Sequence, residues 1–385
     1  MNMKQKKVFL SMLILIGLIL ILSDINSVNS ANVKNINDVD IDSNKTVEIK
    51  NTNAPKFVNS PKTYSKSPKY SRKKGYETDK NTIKTKIGKK YTFITKYFLP
   101  MSWKDGGKNG KTEYWYNCQS IVVQGKYIYI YTSAGYGSNK GFIIRYDTKI
   151  IDKYNKGKGL SKLRKLGTSM RKGSKLTKEQ KRIKSGIKIG KKFIGGHGQS
   201  LTYDSKTNSL YMWQDNNHDS NNLKLMKISL KTLTPYLIYN FKAKLNNKYI
   251  KPFLNLAFDK KGNFYTDKTV KSKINPSGYS YIFSGKLSGN KIQMKLLTII
   301  ENRPGTYPQS LAVNKKNNRI YLVSDGAIYS APLTKMIEGT LTMNDFYYTI
   351  FSTKREFEGI SFDRYGKAYL LILRGTEILK ASQVY

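Results

Sequence analysis

The chain of 385 residues has one cysteine, two histidines and only 25 acidic residues, and each scarcity closes off a class of structure or chemistry. A lone thiol, Cys118, cannot form an intramolecular disulfide, so a buried core must hold the fold. His197 and His218 with that one thiol do not supply the three or four ligands a zinc site takes. His218 lies in the polar run Gln214-Asp215-Asn216-Asn217-His218-Asp219, which lacks the glycine and glutamate positions of a calcium loop. No nucleophile-elbow motif and no phosphate-cradling glycine loop occurs. No metal and no cofactor are therefore expected.

Long apolar runs are equally scarce. The one present, Val8 to Leu22, follows Lys4, Lys6 and Lys7 and precedes the small-residue stretch Val28-Asn29-Ser30-Ala31. A membrane span takes about 20 residues, and this run is shorter. The pattern is that of a secretory signal over residues 1–30, with an uncleaved N-terminal anchor as the alternative. An exported chain without a later transmembrane segment is expected, either extracellular or associated with a cell surface. Residues 31–90, rich in Asn, Ser, Lys and Pro with the cluster Arg72-Lys73-Lys74, read as a disordered cationic leader.

What the chain has in excess is positive charge: 69 Lys and Arg give a formal net charge of +44. Without residues 1–30, 66 basic residues face 24 acidic ones, a net +42. Such a surface attracts polyanions: wall polymers, anionic lipid surfaces or nucleic acid. Solubility alone is the competing explanation. The charge is densest in residues 149–192, where seventeen basic residues face Asp152 and Glu179. This segment reads either as a solvated loop or as a polyanion-binding arm. In the second case Arg164, Lys165, Arg171, Lys172, Lys181, Arg182, Lys191 and Lys192 would make the contacts. It lacks the interleaved aromatics that stack on bases, so no specific nucleic acid is expected. Thr177-Lys178-Glu179-Gln180 has capping-box spacing and predicts a short helix over 178–185.

From residue 91 onward the chain turns to short strands rich in Tyr, Ile, Val and Phe, and a pattern repeats. A polar residue heads an apolar strand, a turn follows, and an aromatic-rich strand comes next. The heads are Gln119, Gln199, Asn255, Gln309 and Glu358, spaced by 80, 56, 54 and 49 residues. The first step contains the basic insertion; without some thirty residues of it every step is near 50. A period of about 40–50 residues with three or four strands per unit is the signature of a β-propeller. The expected fold is all-β, a propeller of five blades over 91–385, with six as the alternative. Tyr91–Phe98 would supply the outer strand missing from the last copy.

In that fold the five heads share one register at the mouth of the central channel. They would bind a polar ligand, a water column or a cation there, or else bond to one another around the axis. His197, in Gly195-Gly196-His197-Gly198-Gln199, stands at the mouth of the second unit and has the chemistry of a general acid or base. Trp115 and Tyr307 precede the heads of the first and fourth units and join the candidate ligand-binding set. Glu358 is the only carboxylate among the heads, short of the pair a glycosidase uses.

The segment Gly195-Gly196-His197-Gly198-Gln199, with Gln309-Ser310 and Phe357-Glu358-Gly359, resembles the helveticin J-like secreted proteins of lactobacilli. It is also similar to the propellers of staphylococcal-phage receptor-binding proteins and of teichoic-acid biosynthesis protein C. The resemblance spans roughly 91–385 and implies a five-bladed propeller with a role in bacteriocin activity or in contacting wall teichoic acid. Helveticin-like chains carry His-Ala-Glu at the head of a later blade, where this chain has Tyr307-Pro308-Gln309, a departure that counts against killing activity. The expected function is non-enzymatic binding of anionic cell-envelope polymers, teichoic acid or surface glycan, of Gram-positive bacteria by a monomer. The alternatives are a class III, helveticin J-like bacteriocin and a surface-polymer lyase or hydrolase using His197 and Glu358.

Overall fold

The computed structural model describes residues 37–40, 46–51, 57–61, 80–100, 117–135, 138–155, 160–270, 278–305, 307–373 and 375–384. Among the described residues strand makes up 54% and helix 12%, so they are mostly β. Residues 38–385 form one compact unit, to which the elements named below belong.

The repeated pattern folds as antiparallel meanders. The first comprises Asn117–Gln124, Tyr127–Ser133 and Lys140–Asp147, with Ile187–Ile189 and Phe193–Ile194 along its outer edge. Thr202–Asp204, Ser209–Trp213, Asn222–Ile228 and Pro235–Leu245 form the second. Ala257–Phe258, Asn263–Val270, Tyr279–Ser288 and Lys291–Glu301 form the third. The fourth has Pro308–Asn314, Arg319–Ser324, Ala327–Pro332 and Tyr347–Phe351. In the fifth, Phe357–Phe362, Lys367–Ile372 and Glu377–Val384 are completed by Thr92–Phe98 from far upstream. The closing strand is the one the sequence pattern predicts.

One side chain explains how neighbouring meanders pack. The second strand of each places a tyrosine at the same cross-strand position: Val122 faces Tyr129, Thr202 faces Tyr211, Ala257 faces Tyr265, Ala312 faces Tyr321 and Ser361 faces Tyr369. All five tyrosines are buried. Each meets the first strand of the next meander, one residue beyond that strand's own paired position. Tyr211 packs on Phe258 with ring centroids 4.9 Å apart, and Tyr321 on Phe362 at 4.5 Å. Tyr129 shares a core cluster with Tyr203, Tyr265 with Val313, and Tyr369 with Val123. The last pair joins the fifth meander back to the first. The aromatic pairs Tyr211–Phe258 and Tyr321–Phe362 each add about 0.5–1.5 kcal/mol beyond their burial. First strands also bond directly: Ser120 Oγ donates to Gly198 O at 2.7 Å, and Val123 N donates to Ser361 Oγ at 3.0 Å. The arrangement is of β-propeller type, with one cavity bordered by the first strand of every meander.

By hydrogen bonding the strands make four sheets rather than five, because Thr82–Gly88 pairs with both Thr92–Phe98 and Tyr347–Phe351 and fuses the last two meanders. This strand belongs to the leader expected over 31–90 to be disordered. Where it is described, that leader is ordered instead. Thr46–Glu48 runs parallel to Pro235–Leu245, and Lys50–Asn51 and Phe57–Asn59 run parallel to Lys291–Glu301. Composition hides this because the outer strands of the meanders offer unpaired backbone donors and acceptors. Pairing with them takes few apolar side chains, here Ile49, Val58 and Ile83, all buried. The expected signal segment, residues 1–30, lies outside the described residues. No helix among the described residues is long and apolar enough to cross a membrane.

Among the described residues the basic insertion forms three helices, α1 (Thr148–Ile151), α2 (Lys162–Lys172) and α3 (Lys178–Ser185), before the edge strand Ile187–Ile189. Helix α3 begins with the predicted capping box, in which Thr177 Oγ1 accepts from Gln180 N and Gln180 Oε1 accepts from Thr177 N. Ile151, Leu163, Leu166 and Ile183 bury their side chains in one cluster with Tyr97, Cys118 and Ile144. The insertion is therefore anchored on the first and fifth meanders rather than being a solvated loop.

Candidate functional site

The five heads converge at one end of the cavity, but as a buried layer. Gln119, Gln199, Gln309 and Glu358 each stand three residues before the partner of the repeated tyrosine, and Asn255 stands two before it. The single register expected for all five holds for four. Gln199 and Asn255 both precede their paired strands, which start at Thr202 and Ala257, and of the two only Asn255 is one residue out of step. Gln119, Gln309 and Glu358 are the extra residues of β-bulges, which turn their side chains out of the ladder. All five heads are at most 7% exposed, so among the described residues none of them faces open solvent.

The buried polar groups bond to each other. Gln199 Nε2 donates to Gln309 Oε1 at 2.6 Å, and Gln309 Nε2 lies 3.3 Å from both oxygens of Asp325. Asp325 Oδ1 accepts from Phe357 N, and Asn255 Nδ2 donates to Asp267 Oδ1 at 3.0 Å. The buried Arg303 donates to Thr269 Oγ1; burial lowers its pKa to about 10, against the pull of Asp267. Gln119 Oε1, Asn255 Oδ1 and Asp215 Oδ2 find no donor among the described residues. One of these contacts, Gln199 to Gln309, joins two heads across the axis, while Asn255 bonds to Asp267 of its own meander.

His197 is exposed beside this layer. Its neighbours Gly196 and Gly198 adopt φ of +73° and +84°, and a Cβ at Gly198 would fall within the ring of Tyr131. Asp215 closes the loop by accepting from the backbone of Gly198 and His197, and burial pushes its pKa up to about 7. Although part of its surface is open to solvent, the His197 imidazole is packed closely enough that burial, and then His218, lowers its pKa. Glu358 is not among the groups that shift it. Tyr307 is 54% exposed, and its carbonyl accepts from Ser324 Oγ. Trp115 lies outside the described residues. Among the described residues no group of three His, Cys, Asp or Glu is placed to hold a metal ion.

The cavity extends from the heads toward the opposite end of the first strands. It holds about 350 Å³ and is walled by Ile121, Leu201, Leu256, Leu311 and Ile360 with the hydroxyls of Ser120, Ser310 and Ser361. Its far rim is made by the turns between first and second strands. In four meanders this turn begins with an Asp or Asn whose Oδ1 accepts from the backbone N–H two residues on. The pairs are Asp204 with Lys206, Asp259 with Lys261, Asn314 with Lys316 and Asp363 with Tyr365. The residue between them, held at the rim, is Ser205, Lys260, Lys315 or Arg364. Gly125 takes the equivalent place in the first meander. This second repeat is present in the same sequence alignment that reveals the heads, one hairpin end away.

The residues expected to meet polyanions fall into three groups. Lys165, Lys172, Lys181, Arg182, Lys191 and Lys192 are exposed. Arg164 is 2% exposed and unavailable to any polymer. Its guanidinium donates to the carbonyls of Leu99, Gly375 and Thr376 and sits 4.9 Å from the Phe98 ring centroid. It is a structural rivet between α2 and the fifth meander, and its place in a run of surface cations misleads. The side chain of Arg171 lies outside the described residues.

No protein-family model and no curated protein matches the chain. Solved structures similar to it include a streptogramin B lyase at 12% identity, covering 81% of this chain and 95% of that one, with a TM-score of 0.33. A glucose dehydrogenase aligns at 11% identity over 81% of this chain and 99% of that one, with a TM-score of 0.40. Apo AztD from Citrobacter koseri aligns at 10% identity over 75% of each chain, with a TM-score of 0.33. Similarity at this level bears on neither substrate nor activity.

Proposed function

We propose that the chain is an exported five-bladed β-propeller that binds anionic polymers of the Gram-positive cell envelope, teichoic acid or surface glycan, without catalysing a reaction. The tyrosine contacts that lead from each meander to the next, and from the fifth back to the first, support five blades. The basic start, short apolar run and small-residue stretch at the N-terminus support export.

The observation that carries the binding reading is the fold of the insertion. Its apolar side chains and Arg164 hold it to the meanders, while Lys165, Lys172, Lys175, Lys181, Lys184 and Lys192 are exposed. Lys162 pairs with Glu179, the one acid of the two helices α2 and α3. A folded support keeps the remaining charges close together without the entropy cost of ordering a free arm.

The test is retention on purified cell walls as a function of salt. Exposed ion pairs are screened over about 8–10 Å near physiological ionic strength. Retention that collapses toward molar salt and after removal of teichoic acid supports the reading. Retention indifferent to both, or none at low salt, sinks it.

A further inference from the structure

We infer that the axial cavity is itself a ligand site, taking a small anionic molecule whose phosphate or carboxylate stays at the turn-side rim while an uncharged body of monosaccharide size fills the shaft. The inference stands on the cavity and does not need the surface-binding reading.

The rim carries the argument. Lys260, Lys315, Lys316 and Arg364 come from three different meanders and border one opening. Among the described residues none of them forms a salt bridge with a carboxylate. The nearby acids are already engaged. Asp204 accepts from Lys206 N, Thr207 N and Thr207 Oγ1, and Asp259 from Lys261 N, Asn263 and the Tyr265 hydroxyl. Asp363 accepts from Tyr365 N and Lys367 N and pairs with Lys380.

Lys315 sits deepest. Its ammonium reaches from the fourth meander to the second, 3.3 Å from Tyr203 O and 3.2 Å from Ser205 Oγ. It is half-buried; burial lowers its pKa, the nearby carboxylates of Asp204 and Asp259 pull it back up, and Lys260 lowers it again by a smaller amount. Four cations, Lys260, Lys315, Lys316 and Arg364, gather at the opening of a shaft with aliphatic walls, and a bound anion adds an opposite charge beside them. Lysines act as point charges and suit either phosphate or carboxylate.

The shaft sets the rest of the ligand. Its volume of about 350 Å³ lies at the small end of ligand pockets, which span about 300–1,000 Å³. Aliphatic walls interrupted by serine hydroxyls suit a sugar ring or a short polyol. At the far end the buried layer of Gln199 and Gln309 stops it.

The test uses the full chain with methyl-labelled Ile and Leu, followed by NMR. The probes are glucose 6-phosphate, glycerol 3-phosphate, glucuronate, inorganic phosphate, glucose and poly(glycerol phosphate). The inference expects shifts at Ile121, Leu311 and Ile360 for at least one of the three small organic anions. That affinity should exceed both glucose and inorganic phosphate, and Lys315→Gln and Lys260→Gln should each weaken it about ten-fold, as expected for one charge-assisted contact. Lys172→Gln with Lys181→Gln should leave it unchanged, which separates this site from the helical surface. Equal shifts with the polymer identify a polymer end as the natural source, and shifts only with the small molecules identify a free metabolite. No shift with any organic anion up to millimolar concentration, or shifts unaltered by both rim variants, overturns the inference.

Discussion

Gln199 donates its side-chain amide to the carbonyl of Gln309, 110 residues away in sequence, over a distance of 2.6 Å. The bond ties the segment leading into the second meander to the first strand of the fourth, so it links units that are not neighbours in the chain. Both side chains are at most 7% exposed. Removing one partner from such a pair leaves a buried polar group unsatisfied at a cost of about 1–3 kcal/mol. Gln309→Leu should therefore lower stability by that amount, measured by urea unfolding. Replacing both residues by leucine should cost less than the two single changes together. Strict additivity in that cycle would show that the bond contributes nothing.

Asp215 supplies a pH signature. Burial raises its folded pKa from 3.8 to about 7, against the opposing backbone donors of Gly198 and His197. Between about pH 4 and pH 7 the unfolded chain ionises this carboxyl while the folded chain keeps the proton. Stability is therefore lost as pH rises through that window, on the order of 2–4 kcal/mol for this one group. Asp215→Asn removes the loss and keeps an acceptor for the backbone. Its stability, compared with the parent, should be relatively greater at pH 8 than at pH 4. Parallel stability curves across the window would refute a raised pKa at this site.

Much of the fold was legible because the repeat is written in residues that do one job each. A polar head, an apolar first strand, a turn and an aromatic second strand recur, and burial of the first strands in a shared cavity follows from that alternation. The tyrosine series and the Asx turns lie in the same alignment. They need only the further question of which position faces which across the ladder. Asn255 was out of reach because the position of a head outside the ladder is set by its loop, not by a period of two. The leader strands were hidden because they pair through backbone atoms, which composition does not record. The burial of the heads was hidden too: glutamines signal polarity, but whether they face water or one another depends on how near the first strands approach.

Glu377 fastens the closing strand. Its carboxylate, fully buried, accepts from Arg355 Nη1 at 3.0 Å, from Thr95 Oγ1 at 2.7 Å and from Asn81 Nδ2 at 3.0 Å. One acid thus joins the link between the fourth and fifth meanders to the N-terminal strands 82–88 and 92–98. Breaking a buried pair by removing one partner costs about 3–5 kcal/mol. Glu377→Ala should lose that much stability. Limited proteolysis of the variant should cut first near residues 80–98, since that strand has lost its clasp while the other meanders keep theirs. A first cut elsewhere would deny Glu377 this local role.

Arg164 and Lys165 are adjacent cations with opposite surroundings, and they separate fold from surface in one experiment. Arg164 is enclosed and donates to three carbonyls, while Lys165 is exposed. Sequence spacing gives a reason: Leu163 and Leu166 are the buried pair of α2, and position 164 flanks that stripe. Arg164→Met keeps much of the aliphatic stem but leaves the carbonyls of Leu99, Gly375 and Thr376 without these donors, a cost of about 2–4 kcal/mol. Lys165→Gln should stay within about 0.5 kcal/mol of the parent, as surface changes do. On a polyphosphate or heparin column the ranking should reverse. Folded Arg164→Met should elute with the parent, and Lys165→Gln combined with Lys172→Gln and Lys181→Gln should elute at lower salt. Earlier elution of Arg164→Met while its circular dichroism remains native would place that guanidinium at the surface, against the burial described here.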